Sequence, residues 1–181
     1  MTAVRPTDRL FFAILPDPAT AARIGRLSDT LRRTYGLTGR PVLTPHLHIT
    51  LWHVGDDYFA PSAEQVATLV RRAAYVEMPA FRISFDHVMS FRNGAFVLGG
   101  GDGVSGLETL HERLKAVMAL PRLKSLHHAR TFTPHMTLLR DEQLLPEQPI
   151  DPIVWTARKF VLVHSLLGRT THHHLAHLPL A

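Results

Sequence analysis

The sequence predicts an α+β protein built from two related halves that face one site. Two observations carry this. First, short apolar or alternating runs with strand character are interleaved with stretches whose apolar residues keep helical spacing. Second, the tetrapeptide His-x-Thr-Leu occurs twice, as His48-Ile49-Thr50-Leu51 and His135-Met136-Thr137-Leu138, each time in an apolar, strand-like context. One such tetrapeptide would mean little. Two in matching surroundings point to a duplicated module that delivers two histidines and two threonines together.

The elements follow in order. Leu10–Leu15 is an aromatic-rich apolar run ended by Pro16-Asp17-Pro18 and reads as a buried strand. Asp17 suits an N-cap with Pro18 in the first helical position. Ala21, Ile24, Leu27 and Leu31 keep helical spacing as far as Gly36, and Gly39-Arg40-Pro41 reads as a loop. Leu47–Val54 alternates and holds the first motif. Ser62 opens a second helix with the apolar stripe Val66, Leu69, Val70 and Ala73, and Phe81–Phe85 alternates as a strand. Arg92-Asn93-Gly94-Ala95 is a hairpin turn signal before the strand Phe96–Leu98. The run Gly99–Gly103 lacks the Lys-Ser/Thr ending of a phosphate loop and is expected to be a flexible loop. A helix on Leu107, Leu110, Leu114 and Val117 is closed by Pro121, and Leu126–Arg130 is a basic connector. Phe132–Leu139 carries the second motif, Glu142–Pro152 reads as a proline-bearing loop, Lys159–Ser165 as a strand, and His172–Leu180 as an edge strand. Each half thus runs strand, helix, loop, motif strand. The second half lacks a partner for the helix at Ser62.

Composition bounds the rest. The chain has 181 residues, 45% hydrophobic and 19% charged, enough for a substantial core. No apolar run reaches the roughly 18 residues of a membrane span, and the N-terminus lacks a signal-peptide core. There is no cysteine. That excludes disulfides, thiolate metal sites and a cysteine nucleophile, and it fits a cytoplasmic protein. Twenty Lys and Arg against fifteen Asp and Glu give a charge of +5, with Arg dominant, which is compatible with an anionic substrate.

On a strand, residues i and i+2 share a face. His48 and Thr50 therefore project together, as do His135 and Thr137, while their apolar neighbours anchor each strand. Two histidines across a cleft can perform acid–base catalysis near neutral pH, one neutral and one protonated. A threonine hydroxyl beside each can bond a phosphoryl oxygen. Phosphodiester transfer at an RNA 2′-hydroxyl needs this set of groups and no metal. A second register, Thr44-Pro45-His46 against Thr133-Pro134-His135, also matches. It costs one threonine, so His48 is preferred over His46. His46 and His48 together have metal-ligand spacing, but no carboxylate lies at a suitable position nearby.

These paired motifs, with the opening Arg9–Asp17, Val54-Gly55, the continuation Leu139-Arg140 and the strand Phe160–Ser165, resemble the 2H phosphoesterase superfamily. Within it, the closest similarity is to the RNA 2′,3′-cyclic phosphodiesterase family, also called 2′-5′ RNA ligases. The resemblance spans nearly the whole chain. It implies a single bilobal domain over 1–181, with lobes of approximately 1–90 and 91–181 and room for strand exchange between them. Each lobe would be a mostly antiparallel sheet with helices on its outer face, around a central cleft. It implies hydrolysis of RNA 2′,3′-cyclic phosphate ends, or of a cyclic nucleotide, to 2′-phosphomonoesters, together with 2′-5′ ligation. His48 would be the proton donor and His135 the proton acceptor, with Thr50, Thr137 and Arg140 on the phosphate. No cofactor, metal or membrane is implied, and the protein is expected to be a monomer. Arg140 lies five residues from His135, so a regular strand would turn it away; it reaches the phosphate only if the strand ends or twists near Leu139. Phe12 is a candidate to stack on a nucleobase, with core packing as the competing role. His172-His173-His174 stands where the family often carries an aromatic residue. Two other readings stay open: a 2H enzyme for a small cyclic nucleotide or ADP-ribose cyclic phosphate, and a non-catalytic RNA-binding module.

Overall fold

The computed structural model describes residues 5–119 and 131–181. The chain folds into eight strands and three α-helices among these residues. In order they are β1 (Asp8–Ile14), α1 (Pro18–Thr34), β2 (Ile49–Asp57), α2 (Ala63–Ala73), β3 (Phe81–Ser90), β4 (Ala95–Gly99), α3 (Ser105–Met118), β5 (His135–Arg140), β6 (Gln148–Ala157), β7 (Lys159–Leu166) and β8 (Thr171–Pro179). They form two four-stranded sheets, β2-β1-β7-β8 and β5-β4-β3-β6, in which every pairing is antiparallel. The halves 1–90 and 91–181 each supply strands to both sheets: β3 joins the second sheet, while β7 and β8 return to the first.

Local chemistry sets the helix ends. Asp17 caps α1 by accepting from the Thr20 amide, with Pro18 at the first position. Gly36 follows the last turn at φ 65°, a left-handed conformation that ends a helix at little cost in glycine. Ser62 and Gln65 form a reciprocal capping box on α2. Leu107, Leu110 and Leu114 are fully buried on α3. Its expected stop at Pro121 and the basic connector Leu126–Arg130 lie outside the described residues.

Three segments differ from the sequence expectation. The loop expected over Glu142–Pro152 yields from Gln148 onward to β6. This strand lies at the edge of its sheet, where Pro149 and Pro152 need not donate to a further neighbour. The first motif strand begins at Ile49 rather than Leu47, because Thr44–His46 forms a tight 3-10 turn ahead of it. The glycine run is no flexible loop. Gly99 closes β4, Asp102–Val104 is a 3-10 turn, and a side chain at Gly100 or Gly103 would collide with Ser84 on β3. The glycines let this connection lie directly on the neighbouring backbone.

One apolar core unites the helices with one face of each sheet, including Phe12, Ile14, Ile24, Ile49, Phe85, Phe96, Leu110, Leu138 and Phe160. A smaller cluster, Phe11, Ala13, Val161 and Val163, occupies the opposite face of β1 and β7. The alternation of β1 therefore sends Phe12 into the main core. Its ring is 0% exposed and packs against Phe160 at 6.0 Å, so of the two candidate roles it takes core packing and is not available to stack on a nucleobase. Truncation by Phe12→Ala is expected to cost about 3–5 kcal/mol of stability, read as a lowered midpoint of urea unfolding.

Candidate active site

The two motif strands occupy equivalent places. Each pairs with the first strand of its half, β2 with β1 and β5 with β4. Thr50 lies opposite Ala13 and Trp52 opposite Phe12, so Leu51 is an extra residue in the ladder. In the same way Thr137 lies opposite Val97 and Leu139 opposite Phe96, which makes Leu138 the extra residue. Both strands thus carry a β-bulge at the leucine of His-x-Thr-Leu. The shared bulge aligns His48 with His135 and leaves His46 aligned with Thr133.

The bulge answers the question about Arg140. Leu138 and Leu139 both turn inward, 0% and 1% exposed, so the alternation shifts by one and Arg140 emerges exposed on the face of His135 and Thr137. Its charge lies close enough to disfavour a proton on His135. The same shift in β2 buries Leu51, packs Trp52 on the core and puts His53 in the position related to Arg140.

The histidines are held alike. His48 Nδ1–H donates to the carbonyl of His46 and His135 Nδ1–H to that of Thr133, both at 2.7 Å. A carbonyl only accepts, so Nδ1 carries the proton and Nε2 is the reactive nitrogen of each ring. Each ring also rests on a phenylalanine: Phe11 lies 4.9 Å from His48 and Phe91 lies 4.8 Å from His135. Burial is the main cause holding both histidines below their ordinary pKa of 6.5, and a charge on His135 would lower His48 further. The two rings therefore share one electrostatic environment. Thr50 and Thr137 are half-buried, and neither hydroxyl has a hydrogen-bond partner among the described residues, which leaves both able to bond a ligand.

The carbonyl of each bulge leucine is taken by a donor from the other half. His111 on α3 donates from Nδ1 to the Leu51 carbonyl at 2.7 Å, and the Val42 amide donates to the Leu138 carbonyl at 2.7 Å. His111 also stacks flat on Phe132, with centroids 4.1 Å apart and planes 5° apart, just before the second motif. The loop before β2 is tied to the end of β5 as well, through the Thr38 and Gly39 amides on the Asp141 carboxylate, each at 2.7 Å.

His172 is a site residue that the sequence pattern missed. Its ring lies 4.4 Å from His46, 5.5 Å from His48 and 5.9 Å from Phe11. Burial first, then the neighbouring His48 and His46, push its pKa down to about 4, so it is a neutral ring near pH 7. The histidine run was the visible signal, but it did not show which ring would face the site. His173 and His174 pack instead near His164 and His177. Among the described residues, no group of three or more His, Asp or Glu is arranged to hold a metal ion.

Two histidines, one immediately ahead of β2 and one opening β5, presented by the two sheets of a duplicated α+β fold, are the design of a 2H phosphoesterase. Comparison with known proteins agrees. A sequence model of the 2′-5′ RNA ligase superfamily matches residues 16–168, and the chain belongs to that family. It is 34% identical over 168 residues to the RNA 2′,3′-cyclic phosphodiesterase of Escherichia coli strain K12, covering 90% of this chain and 89% of that protein. E. coli LigT complexed with 3′-AMP is 26% identical with a TM-score of 0.70, covering 98% of this chain and 99% of the other. TT0787 of Thermus thermophilus, at 21% identity and a TM-score of 0.75, covers 95% and 97% and shares the fold.

His111 couples the Leu51 bulge to the approach of the second motif. His111→Phe keeps the ring stack and loses the bond, whereas His111→Asn restores a donor near Nδ1. Loss of one buried hydrogen bond, about 0.5–1.5 kcal/mol, is expected to appear in kcat with KM little changed for His111→Phe, and to be partly rescued in His111→Asn.

Proposed function

We propose that this protein is an RNA 2′,3′-cyclic phosphodiesterase that opens cyclic ends to 2′-phosphomonoesters without a metal. The observation that carries the reading is the pair of Nε2 atoms, fixed by matching Nδ1–carbonyl bonds at the starts of related strands. The name of the E. coli relative supports the substrate class. Neutral His135 takes a proton from water through Nε2. The hydroxide oxygen bonds to phosphorus as the bond to the 3′-oxygen breaks, and protonated His48 gives its Nε2 proton to that leaving oxygen. His135 ends protonated and His48 neutral, and exchange with solvent resets both. The assignment of donor and acceptor follows the family.

Thr50, Thr137 and Arg140 hold the phosphoryl oxygens as negative charge gathers on them. Burial keeps both histidines neutral in the free enzyme. The arriving phosphodiester is an anion, and its charge favours the protonated form of the adjacent donor. The proton needed for the leaving group is thus stabilised by the substrate itself. Both halves of the site come from one chain, so a monomer in the cytoplasm suffices. No helix among the described residues is long and apolar enough to cross a membrane.

His48→Ala and His135→Ala should each lower turnover of a nucleoside 2′,3′-cyclic phosphate by about 100- to 10,000-fold, with the far-ultraviolet circular dichroism unchanged. Wild-type activity in either variant would refute the mechanism. Turnover should persist in excess EDTA; loss restored by a divalent ion would overturn metal independence.

The pH dependence has a definite sign. The acceptor must be neutral, so activity falls as pH drops through its pKa; the donor must be charged, so activity falls as pH rises through its own. Both values are depressed in the free enzyme, so kcat/KM should be bell-shaped with its maximum on the acid side of 6.5. Bound phosphate raises the donor's pKa, so the alkaline limb of kcat should lie at higher pH than that of kcat/KM.

A further inference from the structure

The edge strand β8 also carries a bulge. His174 lies opposite Val163 and Ala176 opposite Leu162, so Leu175 is an extra residue in the ladder. Leu175 and Ala176 both pack on the main core, and the alternation shifts by one. His172, His174 and His177 therefore share one face of the strand. It is the face of the catalytic site: His174 and His177 lie opposite Val163 and Val161, which cluster with Phe11, the ring on which His48 rests. The His174 and His177 rings lie 5.9 Å apart, and His172 reaches His46 at 4.4 Å and His48 at 5.5 Å.

This row of rings is basic and open to solvent. His174, His177 and Lys159 are exposed, and Lys159 opens β7 opposite Pro179, two residues beyond His177. Burial first, then the charges of His177, Lys159 and His46, hold His174 below its ordinary pKa. Cationic groups that press on one another are relieved by an anion placed among them. At roughly 3.3 Å per residue, the row from His172 to His177 covers about 16 Å, more than one nucleotide occupies. It starts at the leaving-group side of the reaction. His48 protonates the 3′-oxygen, so the ribose that carries the cyclic phosphate lies beside His48, and His172 stands between that ribose and the rest of the row.

We propose that this row is a binding track for the RNA strand upstream of the cyclic end, in which His174, His177 and Lys159 contact the phosphates that precede the terminal nucleotide. This rests on the phosphodiesterase reading above and deepens it: the preferred substrate is an oligoribonucleotide, not a mononucleotide. A terminal nucleoside with nothing on its 5′-oxygen reaches no further than His48, Phe11 and His172. A longer strand adds charge-assisted bonds from ammonium and imidazolium to phosphate. Each bound phosphate favours the charged form of the imidazole that it touches. These contacts lie away from the reacting phosphorus and are the same in the ground and transition states, so they lower KM and leave kcat little changed.

The test compares uridine 2′,3′-cyclic phosphate with a uridine trinucleotide that ends in the same cyclic phosphate. The ratio of their kcat/KM values is read, so a loss common to both substrates cancels. In the wild-type protein the trinucleotide should be favoured by about tenfold or more, through KM. Combining His174→Ser with His177→Ser at these exposed edge positions should bring the ratio to within about threefold of unity. His173→Ser serves as the control, because His173 lies on the opposite face of the same strand, beside His164. It should keep the wild-type ratio. A wild-type ratio near one, an unchanged ratio in the double variant, or an equal fall in His173→Ser overturns the track. If neither substrate is turned over, the phosphodiesterase reading fails, and binding decides the track separately. Fluorescence anisotropy of a 5′-labelled uridine trinucleotide with a 2′-phosphate end should give a Kd about tenfold higher for the double variant than for the wild type. Equal Kd values overturn the proposal.

Discussion

The site depends on two β-bulges whose carbonyls are captured from the opposite half of the chain. Each bulge inserts one leucine after the motif threonine, and β2 and β5 are edge strands, so the carbonyls of Leu51 and Leu138 look to partners outside their sheets. A buried carbonyl without a donor is costly, so each must find a partner elsewhere. His111 supplies one and the Val42 amide the other. The same two bonds that satisfy the backbone therefore pin each motif strand to the other half.

The bulges also decide which side chains share the face. Without the extra residue, Arg140 would point into the core and Leu139 toward the phosphate. With it, two leucines face inward and the guanidinium comes out beside His135. The histidines gain their tautomer from a different local device. A tight turn in one half and an extended segment in the other both bring a carbonyl to Nδ1 from two residues upstream. Burial then holds the pKa of both rings below the ordinary value. The tautomer is thus set by backbone carbonyls, and the lowered pKa by burial. At position 172 a neutral, half-buried imidazole offers a flat face beside His48.

Much of this was legible in the residues because it is local. Asp17 and Ser62 cap helices by bonding to amides three residues on, and a pattern of that range is visible in any window of sequence. The alternation of β1 and the leucine stripe of α3 are equally short-range. The strand β6 was not legible. Its prolines argue for a loop in isolation, and only its place at the sheet edge makes them harmless. The role of Phe12, stacking or core packing, had the same character. Phe11 and Phe12 both lie in an apolar run, and the partners on each face of β1 assign Phe12 to the core and Phe11 to His48.

The chain's own pattern specified the two His-x-Thr-Leu motifs, their strand context and their pairing as the chemical groups of the site, since residue identity and period-two alternation are carried by a few adjacent positions. Tertiary structure decided the rest. The return of β7 and β8 to the first sheet, the emergence of Arg140, the arrival of His172 beside His48 and the bond from His111 to Leu51 all join residues far apart in sequence. Each depends on a register or a packing contact between distant segments. Such contacts are resolved only when every competing face has been buried or satisfied.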